Sequence, residues 1–309
     1  MDDLDRLLAE SMHTAADRAP SESGLLGSVH DRSHRYHRRR VVTGWAAAAV
    51  AALAIGVPFA VTNTDTPAPV PAADTLVAGW TAPVFPFTLP QTADRKTPVA
   101  TMVDGDLIGF FETTDYDEAD VTITVADSAP VFTGEATTRD MTVRGHKGTL
   151  RTVNTKPAKR LTLTWQESAG TWILLETDDT YKPKDVVALA DAMTAASIAV
   201  QPPFRLDLTP AGLQTDTVTA SRMTFRTASG TTVLRTILRK RQTLTGVDQK
   251  VNGYDAALTR DAAGVTLAID VTDWQATLEV TVDAAFPITD ADLLRYATGV
   301  HLLNRSDPE

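Results

Sequence analysis

The segment VRGHKGTL, residues 143–150, returns later in the chain as VNGYDAAL, residues 251–258, with glycine aligned on glycine. Further segments accompany both copies in the same order: an aromatic and proline segment (VFPFTLP 84–90, PFRLDLTP 203–210), an alternating segment (LTLTW 161–165, VTLAI 265–269), a tryptophan segment (TWILLET 171–177, DWQATLEVTV 273–282) and an amphipathic segment (182–193, 287–300). Such similar spacing predicts one structural unit that is used twice.

The alternation of apolar residues with Thr, Lys or Arg predicts half-exposed antiparallel strands in each unit. An amphipathic helix is expected to close each unit, because Pro183 marks a start in the first copy and Thr289 with Asp292 forms a capping box in the second. The helix should cover the apolar face of its own sheet, with three tryptophans as core anchors: Trp165, Trp172 and Trp274. The sequence therefore predicts an α+β fold of two antiparallel-sheet-plus-helix modules, 76–200 and 201–309.

Residues 41–61 form an uncharged apolar run, and about 20 such residues cross a bilayer as a helix. Arginines on the N-terminal side and a tryptophan near the start of the run are typical of a membrane anchor flank: Arg35, Arg38, Arg39, Arg40 and Trp45. The expectation is a single-pass cell-membrane protein with a cytoplasmic N-terminus and an extracellular C-terminal domain, separated from the span by a Pro-rich linker, 62–75. A cleaved signal peptide is the nearest alternative.

The predicted cytoplasmic arm, 1–40, begins with an amphipathic helix over 2–18. Its apolar stripe includes Leu4, Leu7, Leu8 and Met12. A helix of this length cannot bury such a stripe alone, so it finds a partner or a membrane surface, or it frays. One interpretation is a docking helix for a cytoplasmic protein, and the other is an amphipathic stub.

Charge and composition limit the classes of partner and cofactor that the chain can bind. Residues 62–309 hold 22 Lys or Arg against 32 Asp or Glu, and therefore carry the whole net charge of -10. An acidic domain does not favour a nucleic acid as partner. The chain has no cysteine, and five arginines around the three histidines at 30, 34 and 37 oppose a cation there, so no metal or cofactor is predicted.

Enzymatic signatures are missing from the sequence: it has no G-x-S-x-G, P-loop, H-E-x-x-H or dinucleotide motif, and His146 and His301 are far apart. The acidic run at 115–120, with Asp104, Asp106 and Glu112 nearby, reads first as a solvated loop, with calcium binding or acid–base chemistry as alternatives. RKRQ at 239–242 reads as a solvated strand end or a contact for an anionic wall polymer. The prediction is that the protein is not an enzyme.

These features together resemble the single-span envelope proteins of actinobacteria that are similar to anti-sigma factors. The residues that carry the resemblance are Val251, Asn252, Gly253 and Ala257, the weaker set Val143, Arg144, Gly145 and Thr149, and Trp165 with the 182–193 helix. The chain departs from that family's zinc-containing domain, because it lacks a His-x3-Cys-x2-Cys element. The resemblance implies an architecture more than an activity.

The function expected from the sequence is a single-pass membrane regulator, in which an exterior sensing domain is coupled to a cytoplasmic docking helix. The resemblance implies a sigma factor as its possible partner. A single span transmits a signal poorly by itself, which predicts a homodimer or a cleaved chain. The alternative is a membrane-tethered protein that binds an unknown envelope ligand without signalling, and an envelope enzyme is third.

Overall fold

The computed structural model describes residues 75–114, 120–154, 159–177 and 180–309. In the first half the strands are β1 Leu76–Ala78, β2 Val84–Thr88, β3 Val99–Val103, β4 Asp106–Phe111, β5 Val121–Ala126, β6 Thr137–Val143, β7 His146–Asn154, β8 Lys159–Ser168, β9 Thr171–Thr177 and β10 Thr194–Ala199, with helix α1 at Pro183–Asp191 before β10.

In the second half the strands are β11 Phe204–Leu206, β12 Leu208–Pro210, β13 Gln214–Val218, β14 Arg222–Arg226, β15 Thr232–Lys240, β16 Gln249–Val251, β17 Tyr254–Asp261, β18 Gly264–Val271, β19 Ala276–Asp283 and β20 Val300–Leu302. A 3-10 turn, Thr272–Trp274, joins β18 to β19, and helix α2 is Asp290–Thr298.

Fourteen strands form one antiparallel sheet. From the middle of the sheet outward, the seven strands on one side follow one another in an order that corresponds, strand for strand, to that of the seven on the other side. One side runs β3-β4-β5-β9-β8-β7-β6 and the other runs β13-β14-β15-β19-β18-β17-β16. The two sides join where β3 pairs with β13, with Val218 opposite Met102. Two-stranded sheets follow the same correspondence, since β2 pairs with β10 and β11 pairs with β20. Each half of the large sheet is therefore one copy of the repeated unit.

The repeated glycine segment is a tight hairpin turn in both copies. Arg144 and Gly145 have φ of 52° and 83°, and Asn252 and Gly253 have φ of 50° and 88°. Two consecutive positive φ values define a type I′ turn, whose twist matches that of the flanking strands. The glycine is needed at the second position because a residue without a Cβ adopts this conformation at little cost.

The first turn residue also holds the end of the module's helix. Arg144 Nη1 donates hydrogen bonds to the carbonyl oxygens of Ala190 and Met193, at 3.3 and 2.7 Å. Asn252 Nδ2 donates to the carbonyl oxygen of Thr298 at 3.0 Å. Carbonyl groups at the end of a helix lack the amide donors that the following turn would provide, and these side chains donate to them or to the carbonyl just beyond the helix. The same hairpin thus secures α1 in one copy and α2 in the other.

The core lies on one face of each half-sheet, called the inner face here. In the first copy this face carries Leu163, Leu175 and Ile123, all fully buried. Helix α1 packs against β6, β8 and β9 on this side. The β2–β10 pair covers the rest, with the Phe85 ring seated directly over Gly109, where a Cβ atom would lie 2.7 Å from the ring. The opposite side of the first half-sheet is called the outer face.

The predicted α+β class is wrong, because the fold is mostly β. Among the described residues each copy contributes a single nine-residue helix. Such a helix is only about 14 Å long, too short to cover seven strands. The aromatic and proline segments 84–90 and 203–210 contain strands of the second layer instead, since Phe85 and Phe204 are fully buried.

The prediction of a single-pass membrane protein is the second correction. Within the described ranges no helix combines the length and the apolar character needed to cross a membrane. The segments on which that prediction depended, 1–40, 41–61 and 62–74, lie outside the described residues.

The tryptophans are not equivalent anchors. Trp165 is fully buried, whereas Trp172 and Trp274 are half-buried. The alignment of the copies places Trp165 of the first at the position of Ile269 of the second. In the strand pairing, Ile173 lies opposite Trp165 and Leu278 lies opposite Ile269. Trp172 therefore corresponds to Thr277. Trp274 lies instead in the 3-10 turn, which has no counterpart in the shorter β8–β9 connection.

Candidate functional site

An open cleft of about 580 Å³ lies where segments of the two copies meet. Its apolar lining residues are Trp80, Ala82, Pro98, Ile198, Ala199, Val200 and Pro202, and its polar ones are Thr97, Ser197, Gln201 and Arg305. The volume lies within the range of ligand pockets, and seven of the eleven lining residues are apolar.

The wall that carries Trp80 is fixed by the second copy. The Trp80 indole Nε1 donates to Thr215 Oγ1 at 3.1 Å. Gly79 N donates to the carbonyl oxygen of Asp207 at 2.8 Å, and Thr209 Oγ1 donates to the carbonyl oxygen of Gly79 at 2.8 Å. Because the indole N–H is engaged in this way, Trp80 contributes an apolar ring surface to the cleft and not a free donor.

The floor is the segment that leads from β10 into the second copy. Val200 N donates to the carbonyl oxygen of Pro83 at 2.8 Å, and Gln201 N donates to that of Ala100 at 3.3 Å. Val200 also forms an isolated parallel bridge with Ala100. Backbone bonds on both sides hold this floor in place before any ligand arrives, which lowers the entropic cost of binding.

Arg305 is the only charged residue among the described lining residues. Its neighbour Ser306 is anchored by a hydrogen bond from Oγ to the carbonyl oxygen of Pro203 at 2.5 Å, and Leu303 N donates to the same oxygen at 3.0 Å. The Arg305 side chain is exposed and forms no ion pair with a described residue. An apolar cleft with one available guanidinium suits a ligand that has an apolar body and a carboxylate.

Carboxylates gather at the joint between the copies and not in the cleft. Gly105 N donates to the carbonyl oxygen of Asp216 at 2.8 Å, and Asp104 N donates to Thr217 Oγ1 at 3.2 Å. Asp216 is buried, accepts hydrogen bonds from two threonine hydroxyls and lies 3.6 Å from Arg226. This arrangement secures the β3–β4 turn to the second copy.

Asp106 follows that turn, and the pKa of its carboxyl group is shifted far from the usual value. Burial, then the charges of Asp127 and Asp104, raise the pKa of Asp106 to about 6 against the opposing effect of Arg226. Burial and the nearby Asp216 likewise raise the pKa of Asp104. Asp106 therefore titrates near pH 6.

The acidic residues singled out in the sequence do not assemble into one site. Glu112 pairs with Lys96 at 3.4 Å, and Asp120 Oδ1 accepts a hydrogen bond from Thr113 N at 3.1 Å. Both lie at the opposite end of the β4–β5 hairpin from Asp106. No metal-binding group of three or more such side chains occurs among the described residues, and 115–119 lie outside them.

The other sequence candidates have structural partners or lie outside the described ranges. His301 Nε2 lies 2.8 Å from Asp207 Oδ2. In RKRQ, Arg239 pairs with Glu279 and Arg241 pairs with Asp270, so most of its positive charge is neutralised. The docking residues Leu4, Leu7, Leu8 and Met12 and the flank residues Arg35, Arg38, Arg39, Arg40 and Trp45 are all outside the described ranges.

The cleft residues were missed by sequence reasoning because they come from four separate segments. Pro98, Pro202 and Trp80 read singly as turn or core residues. The sequence signal for these residues is the repeat itself: residues 197–202 lie at the end of the first copy and Arg305 lies at the end of the second, and both line the cleft.

No family model, curated protein or solved structure matches this chain. The resemblance to anti-sigma-like envelope proteins therefore remains a prediction.

Proposed function

We propose that residues 75–309 form a binding module without catalytic activity, whose ligand occupies the cleft between the two copies. The observation that carries the proposal is the cleft itself, with an apolar lining, a backbone-fixed floor and a single available guanidinium. Among the described lining residues there is no carboxyl, imidazole or thiol group to act as a general base or nucleophile beside Ser197. The geometry thus favours binding over chemistry.

The ligand that fits best is the C-terminal end of an extended peptide with apolar side chains. Trp80, Ile198 and Pro202 offer surface to those side chains, and Arg305 offers a charge-assisted hydrogen bond to the terminal carboxylate. The open shape of the cleft admits a chain that continues into solvent. Signal reception by the module would then consist of recognising such an end.

A titration of the full chain with fluorescent apolar peptides that end in a free carboxylate tests this proposal. Ile198→Asp should abolish binding, and Arg305→Gln should weaken it about tenfold, by the loss of one charge-assisted bond. Amidation of the peptide end should weaken peptide binding by the wild type to the same degree, and it should not change the affinity of Arg305→Gln. Arg241→Gln, which removes a guanidinium that is not part of the cleft lining, is the control. Equal affinity of wild type and Ile198→Asp would show that the cleft is not the site.

The regulatory part of the proposal concerns residues 2–18. Their apolar stripe suits docking to a regulatory protein such as a sigma factor, with occupancy of the cleft biasing that contact. Crosslinking from a probe in residues 1–40, followed by mass spectrometry, tests this directly. Capture of one regulator that is lost when Leu4, Leu7 and Leu8 are changed to Asp supports the proposal. Equal recovery from both chains would leave a binding module without signalling.

A further inference from the structure

A strip of side chains on the outer face of the first copy has no role in the core. Trp172 pairs with Gln166 on β8 and with Ala126 on β5, one position out of step with the buried Trp165 and Ile173. Since successive strand residues point to opposite faces, Trp172 lies on the outer face. It is half-buried there and does not pack against the core.

Leu174 and Glu176 continue the strip along the same strand and on the same face. Glu176 pairs with Thr162 on one side and with Thr122 on the other. Its side chain is half-buried and forms no hydrogen bond with a described residue. Burial raises the pKa of Glu176 more than the charge of Arg160 lowers it. Glu176 lies between two hydroxyl-bearing side chains. Burying a carboxyl group without a hydrogen-bond partner has a cost in free energy.

The second copy shows that the fold does not require these residues. The ladder places Thr277 at the position of Trp172 and Thr281 at the position of Glu176. Both copies therefore build the same strands, but only the first presents an aromatic ring and an unpaired carboxyl group on its outer face. The difference favours a role other than folding.

We propose that Trp172, Gln166 and Glu176 form a carbohydrate site on the outer face of the first copy, which binds a short neutral oligosaccharide. The apolar face of a sugar ring stacks on the indole, and its hydroxyl groups exchange hydrogen bonds with Gln166, Glu176 and Thr122, whereas Thr162 is buried beneath them. From Trp172 to Glu176 the strip is about 13 Å long, which matches an extended chain of a few sugars. An anionic glycan is disfavoured, because the carboxyl group would repel it when ionised. This site is independent of the cleft, which lies with the β2–β10 layer.

Saturation-transfer NMR on the full chain, with a panel of neutral trisaccharides of the glucose, N-acetylglucosamine, mannose and galactose series, tests the proposal. The wild type should bind at least one of them, and Trp172→Ala should weaken that binding more than tenfold. Glu176→Ala should weaken it about fivefold. Trp274→Ala, which removes the half-buried tryptophan of the other copy, is the control and should bind like the wild type.

Two results would overturn the inference: no binding of any trisaccharide by the wild type, or equal loss in Trp172→Ala and Trp274→Ala. Circular dichroism of each variant shows whether the fold is intact. If Trp172→Ala does not fold, Gln166→Ala provides the second variant and should weaken binding while the fold persists. Peptide binding in the cleft is measured in the same samples and should be unchanged by all of these substitutions.

Discussion

Replacing Asp106 by Asn should stabilise the protein at neutral pH and leave its stability unchanged in acid. The carboxyl group of Asp106 has its pKa raised from 3.8 to about 6 by burial and by the charges of Asp127 and Asp104. A folded state with the higher pKa binds the proton more tightly than the unfolded chain does. Ionised Asp106 therefore destabilises the fold above about pH 6, and this penalty disappears as the pH falls from 6 to about 4.

The size of the effect follows from the shift. At about 1.4 kcal/mol per pKa unit the unscreened penalty is about 3 kcal/mol. Because Asp106 is only half-buried, solvent screening reduces this to about 1 kcal/mol. The amide keeps the size of the side chain and removes only the charge, so nearly all of the penalty should be recovered at pH 7.

Urea titrations of the full chain at pH 4, 5, 6, 7 and 8, followed by intrinsic tryptophan fluorescence, measure the difference. The free energy of unfolding of Asp106→Asn should exceed that of the wild type by about 1 kcal/mol at pH 7 and 8. The two values should converge near pH 4. Asp140→Asn on the exposed edge strand is the control and should track the wild type. A variant that is equally or less stable at pH 7 would refute the argument from burial and charge repulsion.

Further substitutions test how the copies are built. Arg144 forms an ion pair with Glu167 at 3.0 Å and donates to the carbonyl oxygens of Ala190 and Met193, so Arg144→Ala should cost about 2–3 kcal/mol. Asn252→Ala removes one hydrogen bond and should cost about 1 kcal/mol; equal effects in chemical denaturation would contradict the assigned contacts. Trp165→Ala should lose about 3–5 kcal/mol from the core, and calorimetry should show a clearly smaller loss for Trp274→Ala.

The repeat was readable from the sequence because its strongest signals are local. A glycine after Arg144 and after Asn252 satisfies a positive φ, and the β7–β8 and β17–β18 segments alternate with period two. Helix starts were also local: Lys182 N donates to Asp185 Oδ2 beside Pro183, and Thr289 Oγ1 accepts from Asp292 N. These signals placed strands and helices without any knowledge of the fold.

What depends on tertiary contact was not readable. Aligning Trp172 with Trp274 failed because an inserted 3-10 turn carries the second tryptophan out of register, which only the ladder reveals. The second-layer strands around Phe85 and Phe204 were not predicted, because proline interrupts the alternating pattern that marks a strand. The cleft required the chain ends of both copies to converge, and no local pattern encodes that convergence.

Hydrogen–deuterium exchange of the full chain tests the central claim most directly, with and without the tightest carboxylate-ended peptide. The account predicts slower exchange at the amides of 197–201 and of 79–82 when the peptide is bound, and no such change in Ile198→Asp. Protection confined to other segments, or none at saturating peptide, would contradict a ligand site between the two copies.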